Sequence, residues 1–187
     1  RITNHSTGYD AIVSFGERLS VELVAAALES KTSQSQAISA TELIRTNKEF
    51  TDAQPILEKT ESLARARLLP LLRQGITPVV TGFIGSTESG EVTTLGRGAS
   101  DYTATILGYC LDASEVIIWT DVTGVMTADP RVIPDAQTIA DLSYGEASEL
   151  SYYGANVLHP LTMIPASLKN IPIRIKNTFR LDAAGTR

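Results

Sequence analysis

Three compact apolar runs alternate with longer segments of helical period, and this alternation limits the fold more than any other feature. The runs are Ile76-Thr77-Pro78-Val79-Val80-Thr81, Glu115-Val116-Ile117-Ile118-Trp119-Thr120 and Ile171-Pro172-Ile173-Arg174-Ile175-Lys176-Asn177. Short apolar runs of this kind suit strands covered on both faces, as in a parallel sheet flanked by helices. Pro172 sits near the start of its run, where a missing donor is tolerated. Helical spacing runs from Leu19 to Lys31, just after Ser14-Phe15-Gly16-Glu17, with Leu19, Leu23, Val24, Ala27 and Leu28 as the apolar positions, and from Pro55 to Gln74, with Leu57, Leu63, Ala64, Leu68, Leu71 and Leu72. It returns from about Asp101 to Leu111, from Leu142 to Leu150, and after His159-Pro160 through Leu168. Gln36 to Ala40 adds a short strand, and Pro70 should kink or end the helix that contains it. The expected fold is an α/β three-layer sandwich with a mostly parallel central sheet.

With 187 residues, 43% of them hydrophobic, the chain is long enough for one sizeable core and short for two. One domain is expected. A formal charge of −5 and the lack of a basic run argue against a general nucleic-acid or membrane-surface binder, whose affinity comes from clustered Lys and Arg. No stretch reaches the roughly twenty apolar residues of a membrane span, and no signal-peptide pattern opens the chain. The single cysteine, Cys110, rules out an internal disulfide and reads as a small apolar helix residue. A cytoplasmic location is expected. The chain opens at Arg1-Ile2-Thr3 without Met, which is expected of a piece of a longer protein.

Chemistry concentrates in Thr93-Thr94-Leu95-Gly96-Arg97-Gly98-Ala99-Ser100-Asp101. Two glycines and an alanine let the backbone approach a ligand, Ser100 or Asp101 can cap the helix that follows, and a helix amino end presents unpaired N–H groups to an anion. Arg97 adds a fork-shaped cation suited to a carboxylate or phosphate. The same residues also make ordinary turn-and-cap chemistry. The stretch is neither a Walker A loop nor a dinucleotide fingerprint.

Other segments add to it. Ser14-Phe15-Gly16-Glu17 offers a carboxylate, which also reads as a complement to a helix dipole. Gly82-Phe83-Ile84-Gly85 reads as a loop at the carboxyl end of a strand, the ligand side of an open α/β sheet. A strand ending in Thr120-Asp121 and opening into the glycine-bearing loop to Arg131 brings a hydroxyl, a carboxylate and a cation into one excursion; a solvated loop with an Asp129-Pro130 turn is the alternative. His159 before Pro160 reads as a hydrogen-bonded structural residue, and His5 is uninformative.

Taken together, Ser14-Phe15-Gly16-Glu17-Arg18-Leu19-Ser20, Thr81-Gly82-Phe83-Ile84-Gly85, Thr94 to Asp101, Trp119 to Arg131 and Gly154-Ala155-Asn156-Val157-Leu158-His159-Pro160 resemble the aspartokinase segments of the amino-acid kinase family, in order and spacing, over nearly the whole chain. The resemblance implies transfer of the γ-phosphoryl group of MgATP to the side-chain carboxylate of L-aspartate, giving 4-phospho-L-aspartate for lysine, threonine and methionine biosynthesis. It implies that Glu17 contacts the substrate ammonium and Arg97 a substrate carboxylate, and that Ser100 and Asp101 form the floor where substrate and phosphate meet. Thr120, Asp121, Met126 and Arg131 would line the nucleotide site, with Arg131 near the phosphates and Asn156 beside the nucleotide. Mg²⁺ would be held by ATP phosphates and water, with no protein metal ligand. Residues from about 1 to 100 would then form the substrate side and from about 101 to 187 the nucleotide side of a partial catalytic domain, and the full-length protein is expected to form a homo-oligomer.

Three departures qualify the resemblance. The family's amino-terminal strand with its Lys-Phe-Gly-Gly loop, and its carboxyl-terminal regulatory domains, are missing from this chain, so the polypeptide as given is expected to be nearly inactive. Asn156 stands where the family usually has Lys, replacing a charged nucleotide contact by a neutral one. Ala99 replaces a common glycine, which strains the loop if the position needs a positive φ. A kinase for a different acid, or a non-catalytic nucleotide-binding or oligomerisation module, is the alternative reading.

Overall fold

The computed structural model describes residues 5–31, 34–129, 131–152 and 158–187. The elements follow in the order α1 (His5–Glu29), β1 (Ser35–Ile38), α2 (Leu57–Arg73), β2 (Thr77–Val80), β3 (Ile84–Ser86), β4 (Val92–Thr94), α3 (Ala99–Leu111), β5 (Val116–Thr120), α4 (Tyr144–Tyr152), α5 (Pro160–Leu168) and β6 (Ile173–Asn177). This is the α/β architecture expected from the alternation of patterns. Among the described residues the parallel ladders form two pairs, β1 with β2 and β5 with β6. β3 and β4 make an antiparallel hairpin in which Ile84 faces Thr94. Of the expected Gly82-Phe83-Ile84-Gly85 loop, the second half is therefore strand, because the hairpin partner Val92–Thr94 satisfies its backbone.

Two hydrophobic cores, where the chain length suggested one, divide at the end of α3. Ile38, Leu43, Ile44, Leu68, Ile84, Leu95 and Ile106 belong to the first, and Val116, Ile118, Met163, Ile173 and Ile175 to the second. α3 and α5 lie side by side and run parallel. A Cβ built on Gly98, just before α3, would lie 3.2 Å from the Cβ of His159, just before α5. At the other end the ammonium of Lys169, just after α5, bonds the Tyr109 carbonyl at 2.8 Å and Asp112 at 2.6 Å, just after α3. Lys169 also reaches Glu61 of α2 at 2.9 Å, and Arg65 of α2 pairs with Asp112 at 2.6 Å. These cations complement the negative carboxyl end of α3.

Two expectations need correction. α1 starts well before its period placed it, at His5, so Glu17 stands inside the helix, and the apolar positions do not form its buried face: Leu19 and Leu23 are 65% and 72% exposed, whereas Asp10 and Ser14 are fully buried and Val21 and Ala25 are buried beside them. Polar contacts pin the helix on this side, including the Ser35 hydroxyl donating to the Ala25 carbonyl at 2.7 Å. Pro70 does not end α2, which continues to Arg73. So near the end, the proline removes a single helical bond, and the carbonyl it leaves without that partner belongs to the exposed Ala66. Cys110 is buried as expected, and burial pushes its thiol up to about 12.

Gly108 marks the closest approach of α3 to β5, since a Cβ there would lie 2.6 Å from Val116 Cγ2. Gly108→Ala is expected to lower the unfolding free energy by about 1–3 kcal/mol through overpacking, measured by urea titration. An unchanged midpoint would contradict this packing.

Candidate active site

The amino ends of α3 and α5 meet at one place. Gly96 and Gly98 adopt φ of 87° and 68°, so these two glycines take the left-handed backbone that turns the chain into α3. Ala99 is the first residue of α3 and is free of positive φ, so the strain expected there is absent. Ser100 and Asp101 do not cap the helix either. The left-handed turn starts α3 early, Gly98 is the cap residue, and both side chains stand inside the first turn. Among the described residues no side chain caps α3, which leaves its first N–H groups for an anion. At α5 the cap is His159, whose Nδ1 accepts from the Leu161 N–H at 3.4 Å, the structural role expected of it. Two helix dipoles thus present their positive ends side by side.

Glu17 reaches this place from α1. The Gly82 N–H donates to Glu17 Oε1 at 2.8 Å, and a Cβ on Gly82 would lie 2.9 Å from Ser100 Oγ and 3.0 Å from Glu17 Oε1. Glu17, Ser100 and the Gly82 backbone therefore share one spot that any side chain at position 82 would fill. The loop beneath is held under tension. Phe83 has φ of 67° and the Ile84 N–H donates to the Gly82 carbonyl at 2.7 Å, a γ-turn of the strained hand. The Phe83 N–H donates to Thr103 Oγ1 at 3.0 Å, and the Thr103 hydroxyl donates to the Ala99 carbonyl at 2.8 Å. One buried hydroxyl thus ties the turn to the start of α3.

Arg97 lies exposed between the two left-handed glycines and makes no ion pair among the described residues. Asp101 is half-buried, and loss of hydration raises its carboxyl above the usual carboxylate range. At the carboxyl end of β5, the Thr120 hydroxyl donates to Asp121 Oδ1 at 3.2 Å, and Asn177 of β6 donates to the Asp121 carbonyl at 3.0 Å. Met126 is half-buried and bridges to Thr138 through its backbone. The Arg131 side chain, 88% exposed, turns back onto Asp129 at 2.8 Å. Asn156 lies outside the described residues. The structure thus brings Glu17 and Ser100 together and places Arg97 and Asp101 on the same junction. Thr120 and Asp121 form a second polar group.

Sequence reasoning assigned no role to the Gly82 N–H, Thr103 or Asp10. A usable signal for Asp10 existed in the polar side chains Asp10, Ser14 and Glu17, spaced to share one face of a helix. Among the described residues no group of three or more His, Cys, Asp or Glu side chains is placed to hold a metal ion. No described helix is long and apolar enough to cross a membrane. A separate, mostly apolar pocket of about 340 Å³ lies between α4, α5 and β6, lined by Leu142, Tyr144, Leu150, Leu158, Met163 and Ile173 among others, and contains none of the residues above.

Residues 2–177 match the model of the amino acid kinase family. Lysine-sensitive aspartokinase 3 of Escherichia coli is 42% identical over 177 residues, covering 95% of this chain and 39% of the relative. The chloroplastic aspartokinase 3 of Arabidopsis thaliana is 46% identical over 180 residues, covering 95% of this chain and 32% of the relative. Among solved structures, E. coli aspartokinase III in complex with aspartate and ADP superimposes with a TM-score of 0.93 at 40% identity, covering 99% of this chain and 41% of that one. The chain spans less than half the length of each of these relatives.

The raised Asp101 carboxyl gives a stability test. A raised folded-state value means that the native protein binds the proton more tightly than the unfolded chain. Stability from this group is therefore present at acid pH and lost as pH climbs through the raised value. Asp101→Asn is expected to be more stable than the parent at neutral pH, with the gain vanishing below the usual carboxylate range. A pH-independent difference in urea titrations would contradict the assignment.

Proposed function

Because the chain belongs to the amino acid kinase family, we propose that the protein carrying it transfers the γ-phosphoryl group of MgATP to the side-chain carboxylate of L-aspartate. The product is 4-phospho-L-aspartate, an intermediate on the way to lysine, threonine and methionine. The observation that carries this reading is the meeting of Glu17, Ser100 and the Gly82 backbone beside two helix amino ends. A carboxylate suited to an ammonium group, beside positive potential suited to phosphate, supports the reading.

An aspartate side chain is already ionised at neutral pH, so its oxygen attacks the γ-phosphorus while the bond to the leaving ADP breaks, and no proton need move. The task left to the protein is alignment and neutralisation of charge. Glu17, with Oε1 taken by Gly82, offers Oε2 to the substrate ammonium. Arg97 binds a substrate carboxylate, and the first N–H groups of α3, with Ser100 and the positive end of the α5 dipole, stabilise the transferring phosphoryl group; Asp101 completes the floor. Thr120, Asp121 and Met126 line the nucleotide, Arg131 swings from Asp129 to the phosphates, and Asn156 lies beside the nucleotide. Mg²⁺ takes its ligands from phosphate and water, as is usual for this ion. Residues from about 1 to 100 form the substrate side and from about 101 to 187 the nucleotide side. A cytoplasmic location and homo-oligomeric assembly complete the proposal.

The test is ADP release by the full-length protein with MgATP and either L-aspartate or L-glutamate, with hydroxylamine to trap the carboxyl phosphate. Aspartate-dependent turnover is expected, and Arg97→Ala should lower kcat/KM for aspartate by about 10- to 100-fold with KM for ATP little changed. Equal turnover of glutamate, or an unchanged aspartate response in the variant, would overturn the reading.

A further inference from the structure

The reaction above makes no use of the carboxylate of Asp10. It is fully buried, no cation pairs with it among the described residues, and three donors converge on it. The Thr51 N–H reaches Oδ2 at 2.9 Å, the Thr94 N–H reaches Oδ2 at 3.0 Å, and the Thr94 hydroxyl reaches Oδ1 at 3.0 Å. Withdrawing a carboxylate from water is costly unless such bonds replace its hydration. An apolar side chain here would avoid that cost and make none of these contacts.

Each contact leads towards the site. Asp10 stands seven residues before Glu17, about two turns or 10 Å along the same helix face. Thr94 ends β4, and three residues later comes Arg97. Thr51 holds a left-handed φ of 73° beside Asp52, which closes on Gly96 so tightly that a Cβ there would lie 2.6 Å from Asp52 Oδ1. One carboxylate therefore fastens α1, the end of β4 and the Thr51 turn to one another. The opposite side of α1, with Ile12, Phe15, Leu19 and Leu23 exposed, does nothing among the described residues to fix the helix's rotation. A rotation by a single residue, about 100°, would carry Glu17 away from Gly82.

We infer that Asp10 is a positioning residue that sets the separation between Glu17 and Arg97, and thereby the length of amino acid the site accepts. This rests on the proposed roles of those two residues in holding the substrate ammonium and carboxylate. Aspartate and glutamate differ by one methylene, so a loosened clamp blurs the choice between them.

The experiment compares Asp10→Ala and Asp10→Asn with the parent in the full-length protein. The alanine variant is expected to raise KM for aspartate and to erode the preference for aspartate over glutamate, each by about tenfold, with KM for ATP within about twofold. Amide hydrogen exchange at Thr51, Thr94 and Gly82 should accelerate by about tenfold or more. The asparagine variant keeps one oxygen for the two N–H groups and turns its amide towards the Thr94 hydroxyl, which can accept; it should return KM to within about threefold. Should the alanine variant fail to fold, Thr94→Val removes the hydroxyl bond alone and should raise KM for aspartate, not for ATP, by about threefold. An unchanged KM and unchanged Gly82 exchange, or an equal rise in KM for both substrates with no rescue by asparagine, overturns the inference. A parent protein with no aspartate turnover defeats the proposed function by itself, and Gly82 exchange in the variants then decides for or against the clamp.

Discussion

The rotation of α1 about its own axis is the constraint on which the candidate site depends. Fully burying an exposed Leu would contribute about 1.5–3 kcal/mol, yet Leu19 and Leu23 face outward and the polar side of the helix faces in. Asp10, Ser14 and Glu17 occupy that inner side. The helix is held by directional contacts to Thr94, Thr51 and Gly82, and these fix an angle as non-directional apolar packing alone need not. Glu17 has a defined place because its helix does.

α3 carries the same logic through the rest of the molecule. It contributes to the first core, lies parallel to α5 of the second, and sorts charge by its dipole. Its amino end, uncapped by side chains among the described residues, faces the candidate site, while its carboxyl end is covered by Lys169 and Arg65. Thr103, one turn inside, joins the strained Phe83 turn to the helix. The glycines at 96 and 98 are required by left-handed backbone and the glycine at 82 by close approach, so three glycines serve the site for two different reasons.

Much of this was legible in the sequence. Compact apolar runs mark β2, which follows Gly75, and β5; the helical periods mark α2, α3 and α5, and the sequence itself points to the segments carrying Glu17 and Ser100. The buried face of α1 was not legible, because hydrophobic periodicity reports where apolar residues could be covered and is silent about polar ones that hydrogen bonds will bury. The cap of α3 was misplaced for a related reason. Ser and Asp are common caps, but a left-handed glycine two residues earlier had already begun the helix. Thr103 carried no local signal, since its partner Phe83 lies twenty residues away.

The measurement closest to the central claim is calorimetric titration of the full-length protein with L-aspartate, before and after Glu17→Gln, with ADP titrated as the control. If α1 presents Glu17 to a substrate ammonium, the parent binds aspartate, and the variant weakens that binding by about tenfold or more while ADP binding is unchanged. Equal aspartate affinity in parent and variant would contradict the account.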